Sequence, residues 1–217
     1  MPREKVIQIY KFNELDDRAK EKAREWYTGD DYPHDEWWDC EYEDFQTICG
    51  IIGIGLDTKP VKLMGGGVRH KPNISFSGFW SQGDGACFAG TYRGKADARQ
   101  KVREYAPLDT DLHNIVDCLG RDWVQPYGDT RVTITTSGWY SHSGSMRFDF
   151  DEYEDSEGEL HDPCEERCEI VKNNLRWLAD WLYRQLEKSY EWYMSEEVVD
   201  ENIITNEYEF TEDGEPY

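Results

Sequence analysis

Between Arg24 and Lys59 the chain has no lysine or arginine, and after Lys188 it has none to its end. Bases are scarce throughout: 24 against 46 acids, for a formal net charge of −22 over 217 residues. Such a surface repels phosphate, so direct nucleic-acid binding is not expected, and anionic membranes are equally poor partners. No apolar run approaches the roughly 20 residues of a membrane-spanning helix. The first residues bring charge rather than the apolar stretch of an export signal. Six cysteines (Cys40, Cys49, Cys87, Cys118, Cys164, Cys168) lie scattered through a chain too long to need stapling. They read as reduced cytosolic thiols.

Aromatic residues are what the chain has in excess, at 14%. Large rings supply burial that the modest aliphatic content does not, so low hydropathy does not imply disorder. The length fits a single domain over 1–217.

Periodicity divides the chain into alternating elements. KVIQIYK (5–11) alternates like a strand, and Asn13 then stands as cap of a helix with Leu15, Ala19, Ala23 and Trp26 on one stripe. HDEWWDCEYEDFQTICGIIGI reads as a second helix ended by Gly50 and Gly53. LDTKPVKLM reads as an edge strand, because Pro60 cannot donate to a central ladder. NISFSGFW and ACFAGTYR each alternate with period two and form a hairpin over 73–93. Two helices follow, 96–107 and 110–124, the second capped by Thr110 or Asp111. A second hairpin spans 131–151. One long helix is predicted over 163–199, with Val171, Leu175, Leu178, Leu182, Leu186 and Tyr193 as its stripe and Trp177 and Trp181 flanking. It could dock a second copy of the chain. NIITNEYEF reads as a last strand and 211–217 as an acidic tail.

SGFWSQGDGACF (77–88) aligns without gaps to SGWYSHSGSMRF (137–148), sixty residues on. Ser77/Ser137, Gly78/Gly138, Ser81/Ser141 and Phe88/Phe148 are identical pairs. Shared features read as architecture, with Gly78 and Gly138 permitting a bulge or close approach. The fold class that follows is α+β: an antiparallel sheet built around two similar β-hairpins, helices packed on one face, and a long C-terminal helix.

Candidate chemistry is thin. Cys87 lacks a histidine in any local nucleophile signature and reads as a small buried thiol. Cys164 and Cys168 with His161 lack a second ligand pair for zinc, and a helix start with Asp162 as cap and Pro163 at its first position explains them. No metal and no cofactor are expected. GGG at 65–67 lacks phosphate-loop spacing and reads as a turn beside the local cationic residues Arg69, His70 and Lys71.

The acids carry the stronger pattern. They alternate with Trp, Tyr and Phe in three blocks, whereas a solvated acidic tail is poor in aromatics. Carboxylates on a rigid surface can stand in for the phosphates of DNA, with aromatic anchors between them. The partner-binding candidates are Asp35, Glu36, Trp37, Trp38, Asp39 and Glu41, with Asp149, Asp151, Glu152 and Glu154. The alternative is a nucleotide-sized ligand held between the hairpin tips by Trp80, Ser81, Gln82, Asp84, Trp139 and His142. Solubility alone is the bland account of the charge.

KFNELDDRAKEKAREWY and SGFWSQGDGACF resemble a group of small phage and prophage proteins, some labelled antitoxin of a toxin–antitoxin stability system. The resemblance rests on residues 10–27 and 73–93 and supplies no catalytic residues. It implies action in the cytoplasm of a bacterial host. The expected role is a non-catalytic acidic inhibitor that occupies a basic, nucleic-acid-binding surface of a host defence protein.

Overall fold

The computed structural model describes residues 7–29, 32, 33, 36–120, 131–154 and 157–217. In chain order the first elements are β1 (Tyr10–Lys11), α1 (Asp17–Tyr27), α2 (Asp39–Ile52), β2 (Ile54–Leu56), β3 (Thr58–Lys62) and β4 (Val68–Pro72). Then come β5 (Ile74–Ser77), β6 (Gly85–Phe88), β7 (Gly90–Tyr92), α3 (Ala98–Tyr105), α4 (Thr110–Gly120) and β8 (Val132–Thr136). The last are β9 (Met146–Phe150), β10 (Tyr153–Glu154), β11 (Leu160–His161), α5 (Glu165–Tyr193), α6 (Glu196–Thr205) and β12 (Glu209–Phe210). The fold is α+β, with antiparallel sheets and a long helix toward the C-terminus. Among the described residues no helix is long and apolar enough to cross a membrane.

Contacts divide the chain into two compact units, one of residues 1–39 with 186–217, the other of 40–185. In the first, β1 pairs antiparallel with β12. Its core is Phe12, Leu15, Ala19, Ala23, Val199, Ile203 and Phe210. The cap of α1 is Asp16, whose carboxylate accepts from Ala19 N at 2.8 Å. Asn13 falls instead in a 3-10 turn, Phe12–Glu14, where the Glu14 carboxylate accepts from Lys11 N at 2.7 Å. An ionised carboxylate answers both the free N–H groups and the positive end of the helix dipole, which an amide does only in part. Trp26 leaves the buried stripe and packs edge-on against Tyr208 and Phe210. Of the strand expected over 5–11, only Tyr10–Lys11 pairs among the described residues, and residues 5 and 6 lie outside them.

The helix expected over 163–199 is two. α5 stops at Tyr193, Ser195 is extended, and α6 runs on through Asn202 to Thr205, so the expected last strand begins helical and only its end, Glu209–Phe210, pairs as a strand. Residues 211–217 do not form a loose tail. Phe210 bridges Pro216, Tyr217 N donates to Glu209 O, and the backbone of Gly214 lies on that of Ala19.

In the second unit a four-stranded antiparallel sheet has the order β2-β7-β8-β9. β5 and β6 form a separate two-stranded sheet, so the two hairpins do not share one sheet. The chain passes from one sheet to the other at Ala89, which donates to Asn73 O and accepts from Asp57 N. Residues 85–90 are buried without alternation, because this run is covered on both faces. Phe45, Ile48, Cys49 and Ile52 of α2 are buried, as are Val171, Leu175, Leu178 and Leu182 of α5. Gly50 lies within α2, and Gly53 follows its end. The cap of α4 is Asp109, which accepts from Leu112 N at 2.8 Å. Residues 121–124 of the helix expected over 110–124 lie outside the described residues. β3 and β4 pair as a ribbon whose tip holds Gly66 and Gly67 at positive φ, which makes GGG a turn. Every residue from Asp57 to His70 is exposed.

Candidate functional site

The two hairpins repeat one another pair by pair. Ile74↔Phe88, Ser75↔Cys87 and Phe76↔Ala86 recur sixty residues later as Ile134↔Phe148, Thr135↔Arg147 and Thr136↔Met146. Beyond the shared register the loops are built differently. In the first, Ser81 N donates to the Asp84 carboxylate at 2.6 Å and Asp84 N donates to Ser81 O at 3.2 Å. Asp84 therefore closes its own turn. In the second, His142 Nδ1 accepts from Gly144 N at 3.0 Å, and Ser145 Oγ donates to His142 O at 2.7 Å. Both Gly78 (φ 29°) and Gly138 (φ 104°) take positive φ, and neither lies close against another backbone.

The tips meet along a seam. Ser77 Oγ donates to Ser141 O at 3.5 Å, and a Cβ on Gly83 would stand 3.2 Å from the Tyr140 ring. A Cβ on Gly85 would come within 2.6 Å of His142 Cβ. At these positions the space expected to hold a ligand is taken up by packing. Trp80, Ser81, Gln82 and Trp139 are on the outside, while Asp84 and His142 are half-buried.

What the seam presents is aromatic. Trp80 is 73% exposed, Trp139 100% and Tyr140 63%. Trp80 also holds φ at 74°, a conformation costing a bulky residue about 1–3 kcal/mol. Beneath it the buried Phe79 packs against Trp80, Phe76 and Tyr183 at 5.7, 5.9 and 5.4 Å between centroids. The Tyr183 hydroxyl donates to Gly78 O at 3.3 Å, fixing the base of the loop from α5. Tyr140 is absent from the candidates read from sequence. Its position opposite Trp80 in the sixty-residue echo was the signal for it.

The acidic candidates separate into two groups. Asp149, on edge strand β9, and Asp151 and Glu152 beyond it are exposed, and no side-chain hydrogen bond or ion pair joins them to a described residue. Glu154 lies in β10. In the first unit Glu36 is exposed at φ 70°, whereas Trp37, Trp38 and Asp39 are half-buried. Trp37 packs on Trp38, Tyr190 and Tyr193. Glu41, in the second unit, is half-buried, with its Oε2 lacking a hydrogen-bond partner. Asp35 lies outside the described residues.

Nucleophile chemistry finds little support at Cys87. The side chain is buried and burial pushes its thiol up, away from the thiolate that attacks. Iodoacetamide at neutral pH is expected to alkylate the exposed Cys40 and Cys164 well before Cys87 or Cys49, as read by peptide mass spectrometry. Fast modification of Cys87 would restore the nucleophile reading. His161 packs on the Tyr153 ring at 5.5 Å, Cys168 Sγ donates to Pro163 O, and α5 begins at Glu165. Among the described residues no group of three or more His, Cys, Asp or Glu is placed to hold a metal ion.

No curated protein and no solved structure matches the chain. Residues 37–196, which include the whole of the second unit, match a family described as a domain of unknown function (DUF8835), and the chain belongs to that family.

Proposed function

We propose that the protein is a non-catalytic binding protein whose second unit engages a basic protein surface. The hairpin-tip rings are the anchors and the carboxylates beside β9 steer the encounter. The observation that carries this reading is the exposure of Trp80, Trp139 and Tyr140 on two loops packed against each other. Single exposed rings are common, but a contiguous exposed apolar patch marks an interaction site, and Trp and Tyr dominate the binding energy of protein interfaces. A loop held by the Asp84 carboxylate, the Tyr183 hydroxyl and a buried Phe79 loses little freedom on binding.

The charges fit the same role. Among the described residues no base pairs with Asp149, Asp151 or Glu152, and exposed carboxylates of this kind speed association with a cationic surface. A surface that binds nucleic acid is the partner chemistry such carboxylates match, by occupying phosphate positions. The phage resemblance makes a bacterial defence effector the instance to look for.

The test is affinity capture from bacterial lysate at low and high salt, with mass spectrometry of proteins and small molecules. Wild type is expected to retain a basic nucleic-acid-binding protein at low salt and release it at high salt. Trp80→Ala/Trp139→Ala and Asp149→Lys/Asp151→Lys/Glu152→Lys are each expected to weaken that capture at least about tenfold. Capture indifferent to both variants, or a co-eluting nucleotide with no protein partner, overturns the proposal.

A further inference from the structure

Three helices end at one cleft of the first unit. α1 finishes at Tyr27, α5 at Tyr193 and α6 at Thr205, and the cleft is lined by Tyr27, Tyr193, Asn202 and Asn206 from those ends. Tyr32, Pro33, Glu36 and Trp37 complete the wall. The volume is about 440 Å³, within the range of small-molecule sites.

Electrostatics give the cleft one sign. Each helix C-terminus carries roughly half a negative charge, and three of them meet here. Neither α5 nor α6 has a base in its last turn to offset this. α1 has Arg24 there, but that guanidinium is held bidentately by Asp200 at 2.6 and 2.7 Å, with Glu196 at 3.4 Å. Glu36 adds a carboxylate, and among the described residues no lysine or arginine lines the wall. Burial pushes the Tyr27 and Tyr32 phenols up, so both stay neutral hydrogen-bonding groups at physiological pH. The Tyr32 hydroxyl donates to Tyr193 O at 2.8 Å, which locks that ring against the end of α5.

The rings decide what kind of cation. Tyr27 and Tyr32 meet at 54° with centroids 5.0 Å apart, and Trp37 and Tyr193 meet at 64° and 6.2 Å. A flat heterocycle is best held between parallel faces, which these pairs do not offer. Angled faces suit a rounded cation that touches several rings at once. A bare metal ion requires a shell of oxygen ligands, and no metal-binding group occurs among the described residues. An unmodified ammonium is strongly hydrated and holds its water against such a wall. We propose that this cleft binds an organic cation with an alkylated ammonium head, caged by Tyr27, Tyr32, Trp37 and Tyr193 with Glu36 as counter-charge.

The experiment is calorimetric titration of the full chain with tetramethylammonium chloride, against sodium chloride at equal ionic strength. Saturable one-to-one binding is expected only for tetramethylammonium. Trp37→Ala is expected to weaken it at least about tenfold and Trp37→Phe by about threefold or less. Glu36→Gln is expected to weaken it about threefold, and Trp139→Ala, in the other unit, to leave it unchanged. Circular dichroism of each variant checks folding; if Trp37→Ala unfolds, Trp37→Phe and the exposed Glu36→Gln carry the test. Choline and Nε-trimethyllysine, run separately, distinguish a free small cation from a modified side chain by the tighter of the two. Heats no larger than those of sodium chloride, or binding unmoved by all cleft variants, overturn the proposal.

Discussion

Gly90→Ala is expected to lower stability by about 3 kcal/mol, read as the urea midpoint at unchanged slope. Gly90 is buried in β7, the strand between β2 and β8, and is paired with Leu56 on one side and Ile134 on the other. A Cβ there would stand 2.3 Å from Gly55 O and 2.9 Å from Leu56 Cα. Both are backbone atoms, so no side-chain rotation relieves the overlap and β2 must move away from its ladder. The position follows directly on Ala89, where the chain leaves β5 for β2 and β8, so the displacement also reaches the first hairpin. Gly55→Ala, on the facing strand, is the control. Its Cβ would lie 3.9 Å from Thr91 O, an ordinary contact, and a cost below about 1 kcal/mol is expected. Equal costs at the two positions would show that β2 and β7 do not approach as closely as the ladder requires.

The same glycines show which parts of the fold were legible in the sequence. Gly78 and Gly138 stood out because they repeat at a constant offset, and both do sit where the chain turns through positive φ. Among the glycines that permit close approach, Gly85 and Gly90 are marked by no local pattern. Positive φ is a property of one residue and its neighbours. Close approach depends on what a strand meets from elsewhere in the chain. The hairpin register and the buried stripe of α5 were legible for the first reason, since periodicity is local. The division of the long helix was not. SEEVVDENII continues the helical pattern without Gly or Pro, and only the extended backbone of Ser195 separates α6 from α5.

The candidate sites divide along the same line. Trp80 and Trp139 were readable because strand alternation and turn residues place them at loop tips. That the tips form a packed seam depends on Gly85 meeting His142, 57 residues apart in sequence. In the sequence Trp37 stands as an anchor beside acids. Its place in an aromatic cleft rests on Tyr27, Tyr193 and Asn202, which come from three separate helices. No spacing rule joins residues whose proximity is created by helix ends rather than helix faces.

Asp109 is the clearest instance of a residue whose importance is set at a distance. One oxygen accepts from Leu112 N at 2.8 Å as the cap of α4, and the other accepts from the Trp181 indole N–H at 2.8 Å. The sequence points to Thr110 or Asp111 as the cap; the observed cap is the residue before them, Asp109, which the Trp181 ring, 72 residues away, also holds. Asp109→Ala removes a cap worth about 1 kcal/mol and strands the indole donor of the buried Trp181. An unpaired buried donor costs about 1–3 kcal/mol, so a total loss of about 2–4 kcal/mol is expected in urea denaturation. Asp109→Asn keeps one good acceptor oxygen and should lose roughly half as much. The substitution also separates stability from binding. Asp109 touches neither the exposed tip rings nor the free carboxylates beside β9, so Asp109→Ala held well below its melting temperature should capture partner as wild type does. Loss of capture in a folded Asp109→Ala protein would mean that the seating of α4 on α5 sets the tip geometry, through Tyr183 and Gly78, and the binding face would then extend beyond the loops themselves.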